Sequence, residues 1–195
     1  MKIALFGTSA DPPTEAHAAI LGWLSNRYDW VAVWASDNPF KSRQTPLDRR
    51  MTMLQLSILE LDTPRKNISL NRELSSPRTL ETVQTARAKW GNEVELTLVV
   101  GADLVAQIPR WYRVEDLLQQ VRLLVVPRPG YSIDNRHLER LQRLGGKYAI
   151  ADFTPPPLSS SAYRDRRDTH AVPQSVEEYI HREQLYAWQK ATSTQ

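Results

Sequence analysis

The stretch that decides the fold is Lys2-Ile-Ala-Leu-Phe6, followed at once by Gly7-Thr-Ser-Ala-Asp-Pro-Pro-Thr-Glu-Ala-His17. Its first five residues form an apolar run without strict alternation, which is typical of a strand buried on both faces. A helix is predicted after the turn, because apolar residues recur there at steps of three and four. A strand that leads through a turn into a helix is the opening unit of a parallel α/β sheet.

The same alternation continues along the chain. Further short apolar runs predict strands at Trp30–Ala35, Ile68–Leu70, Glu95–Val100, Arg122–Val126 and Tyr148–Ala151. Helical patterns lie between them, at 47–58, Thr79–Trp90, Val114–Gln120 and Asn135–Leu144. We therefore predict an α/β fold: a Rossmann-like, doubly wound, mostly parallel sheet with right-handed crossovers and a small C-terminal helical cap.

The cap is predicted from the last part of the chain. Pro155-Pro156-Pro157 forbids a helix and predicts an extended approach. Helices are then predicted at Ser159–Arg167 and Ser175–Ile180, and we expect them to pack beside the sheet. Residues 1–188 are interpreted as a single domain, with 155–188 as its cap and 189–195 as a frayed tail.

Composition excludes several classes of protein. The 195 residues include 25 basic and 22 acidic side chains, and the net charge of +3 is too mild to indicate a nucleic-acid partner. The absence of cysteine excludes a disulfide scaffold, a thiolate zinc site and a cysteine nucleophile. No apolar run approaches the ~20 residues of a membrane span, and the opening run is too short for a signal peptide. We expect a cytoplasmic protein with small-molecule partners, no nucleic acid and no membrane, and leave a homo-oligomer open.

The turn after the first strand is the first candidate site. Ligands of open parallel sheets bind outside the carboxyl ends of the strands, and a helix start adds N–H groups and a positive dipole. Gly7 would allow close approach of the backbone to a ligand. Thr14 and His17 are three residues apart and share a helix face that would point at this ligand. The alternative is that Thr14 is only an N-cap and His17 a partly buried side chain.

Three further stretches of the sequence carry candidate binding residues. In Gly101-Ala-Asp103 a carboxylate follows a strand, where it could hold ribose hydroxyls or cap the next turn. Trp111 and Tyr112 could stack on a flat heteroaromatic ring or pack in the core. Ser159-Ser160-Ser161 starts a helix whose hydroxyls and N–H groups suit phosphate, and Arg164 adds a planar cation. The alternative for this last segment is a serine-capped surface helix.

Together these segments resemble the bacterial nicotinate-nucleotide adenylyltransferases of the nucleotidyltransferase superfamily. The opening is similar to their (H/T)-x-G-H signature. Its matching residues are Gly7, Asp11, Pro12 and His17, whereas Ala10, Thr14 and Ala16 stand where the family has Phe, its first His and Gly. The downstream matches are Gly101-x-Asp103, Pro109-x-Trp111-Tyr112, Arg128-Pro-Gly130 and Leu158–Arg164. The resemblance runs from residue 1 to about Tyr186.

The resemblance implies transfer of AMP from ATP to nicotinic acid mononucleotide, which yields deamido-NAD and pyrophosphate. Mg²⁺ is expected to arrive with ATP, without a protein metal site. The attacking oxygen is already anionic, so catalysis would depend on positioning and charge neutralisation.

The resemblance also implies roles for individual residues. The implied catalytic residues are His17, Thr14 and Arg164. The implied ATP-binding residues are Gly7, Thr8, Ser9, Thr14, His17, Gly101, Asp103, Ser159, Ser160 and Arg164. The implied acceptor-binding residues are Lys41 for the phosphate, Trp111 for the pyridine ring, and Thr79, Thr82 and Tyr112. The opening turn and the distant serine–arginine segment are thus expected to converge on one triphosphate.

Other functions stay open at this point. The chain could prefer nicotinamide mononucleotide, the amide form of the acceptor. The altered opening signature also suits a non-catalytic nucleotide-binding homologue. Phosphopantetheine adenylyltransferase shares the Thr-x-x-His opening but gives no reason for the Pro109–Tyr112 segment, so we rank it lower.

Overall fold

A single parallel sheet forms the centre of the molecule. The computed structural model describes residues 1–37, 44–166 and 168–186. Its strands are β1 (Lys2–Thr8), β2 (Trp30–Ala35), β3 (Ile68–Leu70), β4 (Glu95–Gly101), β5 (Arg122–Val126) and β6 (Lys147–Ile150). They lie in the order β3-β2-β1-β4-β5-β6, and every neighbouring pair is parallel. The predicted sheet is therefore confirmed, with β1 and β4 running a little beyond the predicted strands.

Helices cover both faces of this sheet. They are α1 (Glu15–Ser25), α2 (Leu47–Glu60), α3 (Thr79–Trp90), α4 (Val114–Gln120) and α5 (Asn135–Arg143). Apolar residues of α1 and α2 pack on one face, and those of α3, α4 and α5 pack on the other. This is the doubly wound arrangement that the continuous apolar runs predicted, because strands buried on both faces need no alternation. α5 ends just before Gly145, whose φ of +87° suits glycine.

The C-terminal cap packs on α2. Its helices are α6 (Ser160–Arg166) and α7 (Gln174–Arg182). Met53 of α2 is fully buried among Tyr163, Val176 and other apolar side chains of the cap. The cap therefore packs on α2, the helix that covers one face of the sheet. Residues 189–195 lie outside the described residues, and the division of the chain into one domain and a tail stays a prediction.

Candidate active site

The strand order creates a crevice between β1 and β4. From β1 the chain proceeds to β2 and β3 on one side, whereas β4 leads to β5 and β6 on the other. Ligands of such sheets bind where the direction reverses, outside the carboxyl ends of the strands. β1 ends at Thr8 and β4 at Gly101, so two of the predicted segments flank this point.

Thr14 fixes the orientation and the protonation of His17. The backbone N–H of Thr14 donates to Nδ1 of His17 at 3.0 Å. A backbone amide can only donate, so Nδ1 is the acceptor and the neutral ring carries its proton on Nε2. The Thr14 hydroxyl lies 2.8 Å from the same Nδ1. Thr14 is also the N-cap of α1, and its side chain is fully buried.

This geometry corrects the role predicted for Thr14. A fully buried hydroxyl that contacts Nδ1 is engaged within the protein and does not suit a direct bond to a phosphate. The N-cap alternative describes the residue correctly, and orientation of His17 is its further task.

His17 is a neutral donor in the free protein. Burial lowers the pKa of His17 to about 4, and the positive charge of Arg128 acts in the same direction. At neutral pH the ring therefore offers one N–H at Nε2 and no net charge.

Gly7 has a structural explanation that the sequence did not reveal. A Cβ placed on Gly7 would lie 2.5 Å from two carbons of the Trp34 ring. Trp34 is the register partner of Gly7 on β2 and is buried. Glycine at position 7 therefore makes room for an indole ring, whether or not a ligand also approaches. The predicted contacts of Gly7, Thr8 and Ser9 with ATP stay predictions.

An ion pair stands on the β4 side of the crevice. Arg128 Nη1 donates to Asp103 Oδ2 at 2.7 Å. A Cβ on the neighbouring Gly101 would lie 2.5 Å from Asp103 Oδ1, so a side chain at position 101 would displace this carboxylate. Arg128 follows β5, and its charge also acts on His17. Arg128 belongs to the Arg128-Pro-Gly130 motif, for which no role was predicted, and its position after the strand next to β4 is the signal in the sequence that points to the crevice.

The serine–arginine segment reaches the opening turn, as expected. Ser160 Oγ donates to the carbonyl oxygen of Pro12 at 2.7 Å, and Arg164 Nη1 donates to the carbonyl oxygen of Asp11. Ser159 Oγ accepts from the Ala162 N–H at 3.1 Å and so caps α6. Residues about 150 positions apart in the chain thus meet within six residues of His17.

Arg50 is a buried residue of this region that the sequence analysis missed. Only 2% of its surface is exposed, and its guanidinium donates to backbone carbonyls of three separate segments. The buried face of α2 is formed by the residues at positions 50, 51, 53, 54 and 57. That spacing was the signal in the sequence that could have placed Arg50 inside.

The predicted acceptor-binding residues fall into two groups. Trp111 is partly buried against the core, whereas Tyr112 is 49% exposed with the Arg78 guanidinium 4.3 Å from its ring centre. Thr79 follows Arg78 as the first residue of α3 and is partly buried. These residues therefore lie near one another at one surface.

The prediction for Thr82 is corrected. Its side chain is 2% exposed, and its hydroxyl donates to the carbonyl oxygen of Leu74 at 2.8 Å. It ties a 3₁₀ turn to α3 instead of facing a ligand. Lys41, the predicted phosphate contact of the acceptor, lies outside the described residues.

Metal sites and membrane-spanning helices are two other features that the described residues were expected to lack or show. Within 1–37, 44–166 and 168–186, no three His, Asp or Glu side chains gather as metal ligands would. No helix in these ranges is both long and apolar enough to cross a membrane.

Comparison with known proteins identifies the family. The cytidylyltransferase-like family model matches residues 5–166. A probable nicotinate-nucleotide adenylyltransferase of Synechocystis is 46% identical, over 95% of this chain and 99% of its own length. The nicotinate-nucleotide adenylyltransferase of Bacillus subtilis is 25% identical, over 95% and 98% of the two chains.

A solved structure has the same fold. The nicotinic acid mononucleotide adenylyltransferase of Plasmodium falciparum, complexed with NaAD, matches with a TM-score of 0.80 at 22% identity, over 95% of this chain and 97% of that one. The family model and the Synechocystis relative each span most of the chain. The chain therefore belongs to the cytidylyltransferase-like family and, within it, to the nicotinate-nucleotide adenylyltransferases.

Proposed function

We propose that this protein transfers AMP from ATP to nicotinic acid mononucleotide, which releases pyrophosphate and forms deamido-NAD. The observation that carries the proposal is the meeting of Arg164 and Ser160 with the Asp11–Pro12 turn, at the start of the helix that bears His17. The imidazole donor of His17 and the cation of Arg164, which belong to distant segments, thus lie at one edge of the sheet. The 46% identity with the Synechocystis relative supports the same activity.

The reaction needs no protein nucleophile. An oxygen of the acceptor phosphate is already anionic and attacks the α-phosphorus of ATP, forming an O–P bond. The bond from the α-phosphorus to the bridging oxygen breaks, and its electron pair leaves with pyrophosphate. No proton has to be removed for this step, so the protein has to position the two phosphates and stabilise the charge that moves.

His17 suits this task as a fixed neutral donor. Thr14 holds Nδ1, so the N–H at Nε2 is available for an oxygen near the α- and β-phosphates. Arg164 supplies positive charge for the leaving pyrophosphate, with Ser160 beside it. In the free protein both residues contact turn carbonyls, and we expect their remaining donors to serve the ligand.

Asp103 and Arg128 are assigned to the nucleoside end of ATP. Asp103 follows β4 at the crevice, where a carboxylate can accept from ribose hydroxyls. Arg128 neutralises Asp103 in the free protein, so the pair is a preformed polar site.

The acceptor is assigned to the surface formed by Trp111, Tyr112 and Thr79. Trp111 would stack on the pyridine ring. Arg78, which lies over Tyr112, adds a positive charge near this surface that would favour the acid form of the acceptor over the amide. The phosphate contact predicted for Lys41 stays a prediction.

Nucleotidyltransferases of this family generally use a divalent metal ion with ATP. We take this ion to be Mg²⁺ bound to the triphosphate as part of the substrate, since Mg²⁺ keeps several waters and needs few protein ligands. The expected location is the cytoplasm, on the sequence grounds given above.

Pyrophosphate release by the purified chain tests the proposal. The assay supplies Mg·ATP with either nicotinic acid mononucleotide or nicotinamide mononucleotide. We expect release with both and a kcat/KM at least tenfold higher for the acid. A preference for the amide would overturn the substrate assignment. ATP binding in calorimetry without release on either acceptor would instead support the non-catalytic homologue.

A further inference from the structure

The Arg50 guanidinium joins three segments that are far apart in the chain. Its Nη1 donates to the carbonyl oxygens of Ser9 at 3.0 Å and Ser36 at 2.7 Å, and its Nε donates to that of Thr45 at 2.8 Å. Ser9 follows β1, Ser36 follows β2, and Thr45 precedes α2. One buried side chain thus holds the opening turn against two neighbouring segments.

Asp11 lies beside this cation and is held by the end of the cap. The Tyr186 hydroxyl donates to Asp11 Oδ1 at 2.7 Å, and the Thr45 N–H donates to Oδ2 at 3.2 Å. Asp11 and Tyr186 are 5% and 4% exposed. Burial lowers the pKa of Arg50 and the Asp11 charge opposes that shift, so the carboxylate and the guanidinium compensate each other.

The turn between these anchors is strained and strongly constrained. Ala10 has a φ of +48°, a left-handed conformation that is costly for any residue but glycine. Three carbonyl oxygens of this turn accept hydrogen bonds from distant side chains. The donors are Arg50 to Ser9, Arg164 to Asp11 and Ser160 to Pro12. Such a conformation persists only where the surroundings impose it. The surroundings here are α2 and the C-terminal cap.

We propose that Arg50 and Tyr186 are positioning residues for the nucleotide-binding turn: through the Ser9 carbonyl and the Asp11 carboxylate they hold the turn in the geometry that binds ATP. The end of the C-terminal cap is then a required part of the ATP site, although Tyr186 itself does not touch the nucleotide. The identity of the ligand rests on the function proposed above.

Tyr186→Phe is the first test, because it removes one hydroxyl and keeps the buried ring. Tyr179→Phe is the matched control: Tyr179 is a buried tyrosine of the same cluster whose hydroxyl accepts from Arg49, away from the turn. The affinity for ATP is measured by calorimetry without acceptor, well below the melting temperature of each variant. We expect Tyr186→Phe to weaken ATP binding about tenfold, the scale of a lost hydrogen bond to a charged group, and the control to stay within about twofold.

Arg50→Lys is the second test, with Arg49→Lys as its control. Lysine keeps the positive charge, but its single ammonium group cannot reach all three carbonyl oxygens that the planar Arg50 guanidinium contacts. Arg49 is the next residue on α2, and its side chain is 45% exposed and pairs with Glu183. We expect the first variant to lose tenfold or more in ATP affinity and the second to lose less than twofold.

A comparison of the affinities for ATP and for nicotinic acid mononucleotide distinguishes a positioning role from a general loss of structure. Trp111 and Tyr112 have no contact with this network among the described interactions, so the affinity for nicotinic acid mononucleotide should stay within about twofold in Tyr186→Phe. Arg50→Lys is left out of this comparison, because Arg50 also holds Ser36 and Thr45, which flank Lys41 in the sequence. Unchanged ATP affinity in both variants, or an equal loss for both substrates in Tyr186→Phe, would overturn the inference. If the wild type binds ATP but releases no pyrophosphate, the proposed function fails, while the ATP titrations still decide the role of the network.

Discussion

The backbone N–H of Thr14 donates to Nδ1 of His17 at 3.0 Å, and this contact determines which ring nitrogen carries the proton. Because Nδ1 accepts, the neutral imidazole presents a donor at Nε2. A helix cap thus also prepares a catalytic group, since the residue that starts α1 orients the ring one turn further on.

The first prediction concerns this donor. His17→Ala should lower kcat by ~10²–10³, which is the scale of losing one preorganised donor in a charged transition state. His17→Gln should lose less, because the Gln amide nitrogen can reach the position of Nε2. Steady-state pyrophosphate release measures both, with circular dichroism as the control for folding. Turnover close to wild type in His17→Ala would contradict the role.

The second prediction follows from the low pKa of His17. Its pKa is about 4 in the folded protein and near 6.5 in an unfolded chain, so the unfolded state binds more protons between these values. The free energy of unfolding should therefore fall by about 3 kcal/mol as the pH is lowered from ~6.5 to ~4. Urea titrations of the wild type and His17→Gln across this range isolate the contribution, which should be absent from the variant.

A further prediction concerns the effect of Arg128 on the pKa of His17. Arg128→Gln removes the positive charge that helps to lower the pKa of His17 and exposes the ring to the charge of Asp103. NMR titration should therefore show a higher His17 pKa in this variant than in the wild type. An unchanged pKa would mean that Arg128 and His17 do not share one electrostatic environment.

Trp111 provides the third prediction. Trp111→Ala should raise KM for nicotinic acid mononucleotide about tenfold and leave KM for ATP within about twofold, because an aromatic stack is lost on the acceptor side alone. Trp111→Phe should recover most of the loss. Equal increases in both KM values would indicate that the side chain only packs against the core.

The fourth prediction concerns Gly7 and Trp34. Gly7→Ala should lower the free energy of unfolding by ~1–3 kcal/mol, since the added carbon would meet the indole ring at 2.5 Å. Adding Trp34→Leu should restore part of that loss by opening the space. Urea denaturation of the two single variants and the double variant measures the coupling. Strict additivity would show that the two positions do not compete for the same volume.

The strands and helices could be predicted because their signals are local. A local preference for strand or helix is present in runs such as Leu96–Val100 and in the periodic segment 79–90. Their apolar side chains need only to be buried in the core, whichever residues of the core they contact. Gly101 and Asp103 could be placed near the crevice for a related reason, since their distance from the end of a strand fixes their position.

The contacts that shape the site could not be predicted in the same way. Arg50 and Tyr186 lie in segments without a turn or motif that points to the crevice, and their partners, Ser9 and Asp11, are 41 and 175 residues away in the chain. Thr82 shows the opposite error: the family resemblance implies that it binds the acceptor, but its hydroxyl donates to the carbonyl oxygen of Leu74. Such partnerships exist only in the folded molecule.

The hydrogen bond between Asp11 and Tyr186 also determines when the opening turn can reach its final structure during synthesis. The carboxylate leaves the ribosome 175 residues before the tyrosine that donates to it. Until then the aspartate has no phenol to accept from, and burying its charge would be costly. The turn at Asp11 can therefore reach its final shape only after position 186 has been made, so a chain interrupted between Ile150 and Tyr186 carries every strand of the described sheet but an unfinished nucleotide site.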